Sequence, residues 1–260
     1  MFYEISITWR TIRKEGWHSL LNKVGIYFSD IFAAATFILS PKQKPTTPSE
    51  ILDFVWRAGR GLICPSQEKA ELSGLLQWMN QRPAPQSVLE IGTARGGTLF
   101  CWCTTASPMA TIISLDLPQG IHGGGYPYWK TFIYRRFAKP KQHLHLLRGD
   151  SHSPVMLDLV KKLIPPGGLD FLFIDGDHTL EGVRKDFDMY APLVKSGGAV
   201  VFHDICIHRA EYDCHVDKFW NEVKQGRSFQ EFVKDPLQGI YGIGVITMDS
   251  NIKSQLRTNE

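Results

Sequence analysis

The sequence predicts a single doubly wound α/β domain with a mostly parallel sheet, preceded by a helical extension. Three observations predict it. Five short apolar runs, each bounded by turn residues, follow one another between positions 87 and 204. Helix-patterned segments separate most of them, and that alternation implies a parallel sheet covered on both faces. Each run also carries an acid at or near its carboxyl end, the side on which open parallel sheets bind ligands. A chain of 260 residues, 43% of them hydrophobic and 21% charged, is long enough for one such domain with a sizeable core.

From the N-terminus, residues 1–48 read as a helical extension and linker. The segment 25–39 (GIYFSDIFAAATFIL) is mostly apolar, but Asp30 interrupts it and it is too short to span a bilayer. Its plain reading is a buried or partner-facing helix, which leaves room for a homo-oligomer. Arg10, Arg13, Lys14 and Lys23 also leave room for peripheral contact with a membrane surface. Residues 41–48 (PKQKPTTP) are polar and proline-rich, as linkers are. The domain proper is expected over 49–260. It opens with helices at 49–58 and 66–79, the second carrying Leu72, Leu75, Leu76 and Met79 at helical steps after a Ser66 cap.

The five strands are SVLEIG, TIISLD, HLHLLRGD, LDFLFIDGD and GAVVFHD. Helices are expected at 98–105 and 181–194, the latter with Val183, Phe187 and Tyr190 on one face. The tail GIYGIGVITM reads as a final strand or hairpin closing the sheet edge. A net charge of +3 without a long basic run argues against a nucleic-acid partner. Five cysteines without a Cys-x-x-Cys pair favour free thiols in a reducing, cytoplasmic compartment. Cys206, His208, Cys214 and His215 match no common zinc spacing.

The acids are Glu90, Asp116, Asp150, Asp175 with Asp177, and Asp204. Converging on one rim, they would make a negative crevice suited to cations. The turn after the first strand runs from Glu90 through Gly92, Thr93, Gly96 and Gly97, with spacing G-x-x-x-G-G and not the dinucleotide fingerprint G-x-G-x-x-G. A negative crevice repels a pyrophosphate but accepts S-adenosylmethionine, which has no phosphate and carries a sulfonium. The donor's ammonium can meet carboxylate, and its own carboxylate the amides of the glycine loop. Asp116 is placed for the ribose hydroxyls and Asp150 for the adenine side.

The densest chemistry lies in FIDGDHTLEGV and FHDI. Asp175 and Asp204 end neighbouring strands, and carboxylates that close repel unless a cation sits between them. Mg²⁺ would resolve this; His203 as a nitrogen ligand makes Mn²⁺, Fe²⁺ or Zn²⁺ more competitive. His178, three residues past Asp175, is placed to take a proton from a substrate hydroxyl. After Asp116, the stretch holding His122, Tyr126, Tyr128 and Trp129 suggests a flap whose rings cover a sugar or another apolar ring. Arg135, Arg136, Lys139 and Lys141 form a basic cluster, read as a solvated helix face or as an attraction for an acidic substrate.

Over residues 67–245 the chain resembles the class I methyltransferase superfamily. More narrowly it resembles the metal-dependent group of macrolide-sugar and rhamnosyl O-methyltransferases and cephalosporin hydroxylase-like proteins. VLEIGTARGGTLF, ISLDLP, LLRGDSH, DFLFIDGDHTLEGVRKDFDMYAPLVKSGGAVVFHDI and YGIGV carry the resemblance. It implies cofactor roles for Glu90, Gly92, Gly96, Asp116 and Asp150 with Ser151, metal ligation by Asp175 and Asp204, and a general base at His178. His203 departs from the group, which often has Glu or Asn before the second metal-binding acid. The expected activity is transfer of a methyl group to a hydroxyl of a small molecule, with a hydroxylase-like enzyme or a non-catalytic binding module as the alternatives.

Overall fold

The computed structural model describes residues 45–118 and 125–249, together with Phe32, Ala34, Ala35 and Phe37. The rest of the apolar N-terminal segment, the 41–44 part of the linker and the 119–124 part of the expected flap lie outside the described residues. Phe32, Ala34, Ala35 and Phe37 are helical, and the first element with described bounds is α1 (Pro48–Arg57), where the proline-rich stretch becomes helix instead of continuing as linker. Pro48 at the first helical position has no N–H to lose, and Thr47 with Glu50 closes a reciprocal capping box. Helix α2 is Lys69–Asn80. It starts three residues later than the sequence suggests, because Glu68 stands at the N-cap and Ser66 is not the cap.

The alternating core follows as β1 (Ser87–Ile91), α3 (Gly97–Thr105), β2 (Thr111–Asp116), α4 (Lys130–Tyr134), β3 (His143–Arg148), α5 (Pro154–Leu163), β4 (Leu169–Ile174), α6 (Leu180–Tyr190) and β5 (Val194–His203). Helix α6 ends at Tyr190, where Pro192 two residues on tightens the chain into a 3₁₀ turn before β5. Then come α7 (Val216–Val223), β6 (Phe229–Phe232) and β7 (Ile243–Thr247). The sheet order is β3-β2-β1-β4-β5-β7-β6. Strands β1 to β5 pair in parallel and β7 pairs antiparallel with both β5 and β6. The tail forms a final strand, as expected, but it does not close the sheet edge: β7 lies between β5 and β6, and its hairpin mate β6 is the edge strand.

Side chains alternate across the sheet, so each strand supplies two cores. On one face Val88, Ile112, Phe171, Phe173 and Val201 meet α1, α2 and α3. On the other Leu89, Ile113, Leu172, Ile174 and Val200 meet α5, α6 and α7. Ala34 and Phe37 belong to the first core, Phe37 with ring centroids 6.0 Å from Phe54 and 6.1 Å from Phe137. As far as it is described, the N-terminal extension therefore packs on the domain. The strand order reverses between β1 and β4, which opens the ligand-binding crevice at their carboxyl ends.

Candidate active site

The crevice begins with the glycine loop after β1. Gly92 has φ +86°, and a Cβ there would lie 1.9 Å from the Asp175 carbonyl oxygen, so only glycine fits between β1 and β4. The Asp175 N–H donates to the Ile91 carbonyl at 2.8 Å, extending the pairing of the two strands past their ends. Gly96 has φ +84° and abuts the Tyr134 ring, while Gly97 opens α3 against the Ile63 carbonyl. A cleft lined by Pro65, Ser66, Gln67, Gly92, Arg95 and Asp175 runs along this loop.

Glu90 does not reach the rim. Alternation along β1 turns it towards α3, where it is fully buried and accepts from Trp102 Nε1 and Thr93 Oγ1, each at 2.7 Å. Burial pushes its pKa up to about 8, against the pull of hydrogen bonds from Thr98, Thr93 and Trp102. Asp116 lies at the end of β2, and its Oδ2 accepts from the backbone N–H groups of Ala94 (2.7 Å) and Thr93 (3.2 Å). Burial raises its pKa despite those bonds. Asp150 is exposed after β3, where Oδ1 accepts from the His152 N–H at 2.8 Å, and the Ser151 carbonyl accepts from Tyr190 Oη. Close by, His152 Nε2 lies 3.3 Å from the buried Asp186 carboxylate.

The second constellation does assemble. His203 Nδ1 lies 3.1 Å from Asp175 Oδ1 and 3.3 Å from Asp204 Oδ1. The His178 ring lies between the same two acids, Nε2 3.5 Å from Asp175 Oδ1 and Nδ1 3.5 Å from Asp204 Oδ2. Burial disfavours charge on all four side chains, and mutual attraction overrides it. Both carboxyls are held below their ordinary range, Asp204 well below, while His178 and His203 bind protons more strongly than a free imidazole. With Glu90 buried and these acids faced by histidines, the crevice is less negative than six open carboxylates would make it.

Three partners here were not assigned to this site from the sequence. Gln67 Nε2 donates to Asp175 Oδ2 at 2.8 Å. His208 Nε2 lies 3.0 Å from Asp204 Oδ1, its pKa pushed up to about 10 by Asp204 and Cys214 although burial opposes. Cys214 shares a cluster with His178 and Asp204, their donor atoms all within 4.8 Å of one another. Gln67 precedes β1 by twenty positions and no spacing announces it. His208 and Cys214 were visible only as part of a zinc-like set whose other members lie elsewhere: His215 is half exposed and faces Asp213.

The expected aromatic cover divides. Tyr126 is buried edge-on to Tyr134, ring centroids 4.8 Å apart, whereas Tyr128 and Phe132 are 74% and 66% exposed. Of the basic cluster, Lys139 turns inward and donates to the Thr104 and Ala106 carbonyls, so it is a structural cap and not a solvated charge. No helix among the described residues is long and apolar enough to cross a membrane.

Residues 89–205 match the family model described as a methyltransferase domain. An uncharacterized protein of Sinorhizobium fredii is 26% identical over 184 residues, covering 69% of this chain and 19% of its own length. An uncharacterized protein of Acanthamoeba polyphaga mimivirus is 31% identical over 116 residues, covering 45% of this chain and 50% of its own. The chain thus spans half or less of the length of these curated relatives. The O-methyltransferase TomG from Streptomyces achromogenes, involved in tomaymycin synthesis and solved with SAM, superimposes with TM-score 0.52 at 15% identity, over 85% of this chain and 96% of that one. That likeness concerns the fold.

Proposed function

We propose that this chain, which carries a methyltransferase domain on the class I methyltransferase fold, moves a methyl group from S-adenosylmethionine to a hydroxyl of a small molecule. The observation that carries the reading is the position of His178. Its ring stands between two carboxylates, and the first of these is joined through its backbone to the end of β1, where the glycine loop begins. That position supports a role for His178 as the base beside the loop proposed to hold the donor.

In this reading the loop of Gly92, Thr93, Gly96 and Gly97 and the carboxyl of Asp116 hold the donor, with Asp150 and Ser151 on its adenine side; the Thr93 and Gly96 amides, bonded to Asp116 and to the Thr93 carbonyl, fix the loop's shape. Glu90 acts from beneath, fixing Thr93 and Trp102 and so the shape of the loop. The donor supplies an electrophilic methyl; the chain orients it and excludes water. His178 takes the acceptor's hydroxyl proton, and Asp175 and Asp204 stabilise the imidazolium that results. Exposed Tyr128, in the segment that follows β2, suits a ring-bearing acceptor, a sugar or a glycosylated natural product among them.

The residues present also fit a divalent cation. Asp175, His203 and Asp204 offer two carboxylate oxygens and one ring nitrogen within 4.8 Å of one another. Gln67 occupies the other oxygen of Asp175, an orienting contact of the kind that metal ligands receive. A bound cation would neutralise the acids and polarise an acceptor oxygen. Two carboxylates suit Mg²⁺, while the nitrogen donor shifts preference towards Mn²⁺, Fe²⁺ or Zn²⁺.

Two variants test the assignment. His178→Ala is expected to lower methyl transfer by about 10²–10⁴-fold while calorimetry still detects donor binding. Asp175→Ala is expected to abolish metal-dependent turnover with donor binding largely kept. Absence of S-adenosylhomocysteine from every reaction with hydroxylated acceptors would turn the reading towards a hydroxylase-like or non-catalytic protein. Methyl transfer indifferent to chelation would remove the metal alone.

A further inference from the structure

Cys214 is a buried free thiol that the proposed reaction leaves unused. Its loop leaves β5 through Asp204 and turns again at Asp213, both non-glycine residues in the left-handed region at φ +64° and +43°. The backbone then ties itself to the crevice, because the His215 N–H donates to the His178 carbonyl at 2.8 Å. This bond sets Cys214 beside His178. Cys214 and Asp204 are 6% and 4% exposed, while the His178 side chain keeps 23% open. The cluster is therefore buried at Cys214 and Asp204 and partly open at His178.

From this geometry we propose that His178 Nδ1, Asp204 Oδ2 and Cys214 Sγ form a binding site for a thiophilic divalent cation of the Zn²⁺ class. Its donors differ from those of the Asp175–His203–Asp204 set, and the two sets share Asp204. The three donor atoms lie within 4.8 Å of one another. Nitrogen and oxygen ligands about 2.0–2.1 Å from a tetrahedral zinc are separated by about 3.4 Å, and His178 Nδ1 and Asp204 Oδ2 stand 3.5 Å apart. The Cys214 thiol lies within 4.8 Å of both other donors.

The surroundings orient each donor. His208 fastens its Nδ1 to the Cys206 carbonyl at 2.9 Å and holds Asp204 Oδ1 with Nε2 at 3.0 Å, leaving Oδ2 towards His178. Asp175 Oδ1 lies 3.5 Å from His178 Nε2, so the far ring nitrogen faces a carboxylate, the arrangement that turns an imidazole's other nitrogen to a metal. A thiolate, an imidazole and a carboxylate together select Zn²⁺ over Mg²⁺, which takes oxygen ligands. Burial of Cys214 as a small apolar side chain would account for its place in the same core as Val216 and Phe219 but not for its placement against an acid and two imidazoles.

One consequence rests on the methyltransferase reading: an ion on His178 Nδ1 occupies the proposed base, so Zn²⁺ inhibits turnover. The binding site itself does not depend on that reading, and the decisive test is spectroscopic. The full chain, reduced and stripped of metal, is titrated with Co²⁺. The expected result is a near-ultraviolet thiolate-to-cobalt charge-transfer band that Zn²⁺ displaces. The band is expected to persist in Cys206→Ser and to vanish in Cys214→Ser. His178→Ala should weaken cobalt binding by about tenfold or more, and this variant decides the matter if circular dichroism shows Cys214→Ser unfolded. No thiolate band in the parent protein, a band surviving in folded Cys214→Ser, or unchanged affinity in His178→Ala would each overturn the proposal. Zinc inhibition relieved in Cys214→Ser would tie the site to catalysis.

Discussion

A carboxyl shut away from water keeps its proton unless charge is brought to it, and Glu90 has only neutral donors around it. Its folded pKa of about 8 stands above the ordinary value of 4.5, so between those values the folded state holds one more proton than the unfolded state. Stability contributed this way is lost as pH rises through that window. Glu90→Gln keeps an acceptor for Trp102 and cannot ionise. Its melting temperature is expected to gain on the parent's as pH increases from about 5 to about 9, and parallel curves would show that Glu90 is already charged in the folded state. The sequence made Glu90 visible as an acid beside a glycine loop but not the direction in which it points. That depends on strand phase: Glu90 shares a face with Val88 and therefore with α3. Asp175, His178, His203 and Asp204 were legible because each sits at a strand end or one turn beyond it. Gln67 was not, since a residue before β1 reaches Asp175 only through the tertiary path of the chain.

Among the elements, α1 shows most directly how local chemistry sets a boundary. Thr47 accepts from the Glu50 N–H, and Glu50 Oε2 accepts from the N–H groups of Thr47 (3.1 Å) and Thr46 (2.8 Å). Thr47→Ala should destabilise the protein by about 1 kcal/mol, read as a shift of the urea midpoint with unchanged slope. A change of slope would instead mean that α1 separates from the core before the rest unfolds. Strands β1 to β5 were readable from their apolar runs and acid-bearing ends. Helices α4, α5 and α7 and strand β6 were not singled out. β6 is four largely exposed residues, FQEF, whose strand state comes from pairing with β7 and not from its own pattern. Helix α4 is five residues long, below what periodicity can register.

At the scale of the whole molecule, donor binding should appear as stability. A ligand held only by the folded state at a hundredfold excess over its Kd adds about 2.7 kcal/mol, which for a domain of this size raises the melting temperature by about 5–10 °C. S-adenosylhomocysteine should produce that rise by differential scanning fluorimetry, and adenosine, which lacks the amino-acid end, a smaller one; equal shifts would remove the glycine loop from the binding surface. The doubly wound class was legible from alternation alone, whereas the placement of β7 between β5 and β6 required the structure. Where Gly92 lets β1 and β4 come together, a single hydrogen in place of a side chain separates the two strands. That seam works as a fixed joint. The segments that follow β2 and β5 hang from it like interchangeable tool heads, so grafting them from a relative should retune which acceptor is taken without disturbing how the donor is gripped.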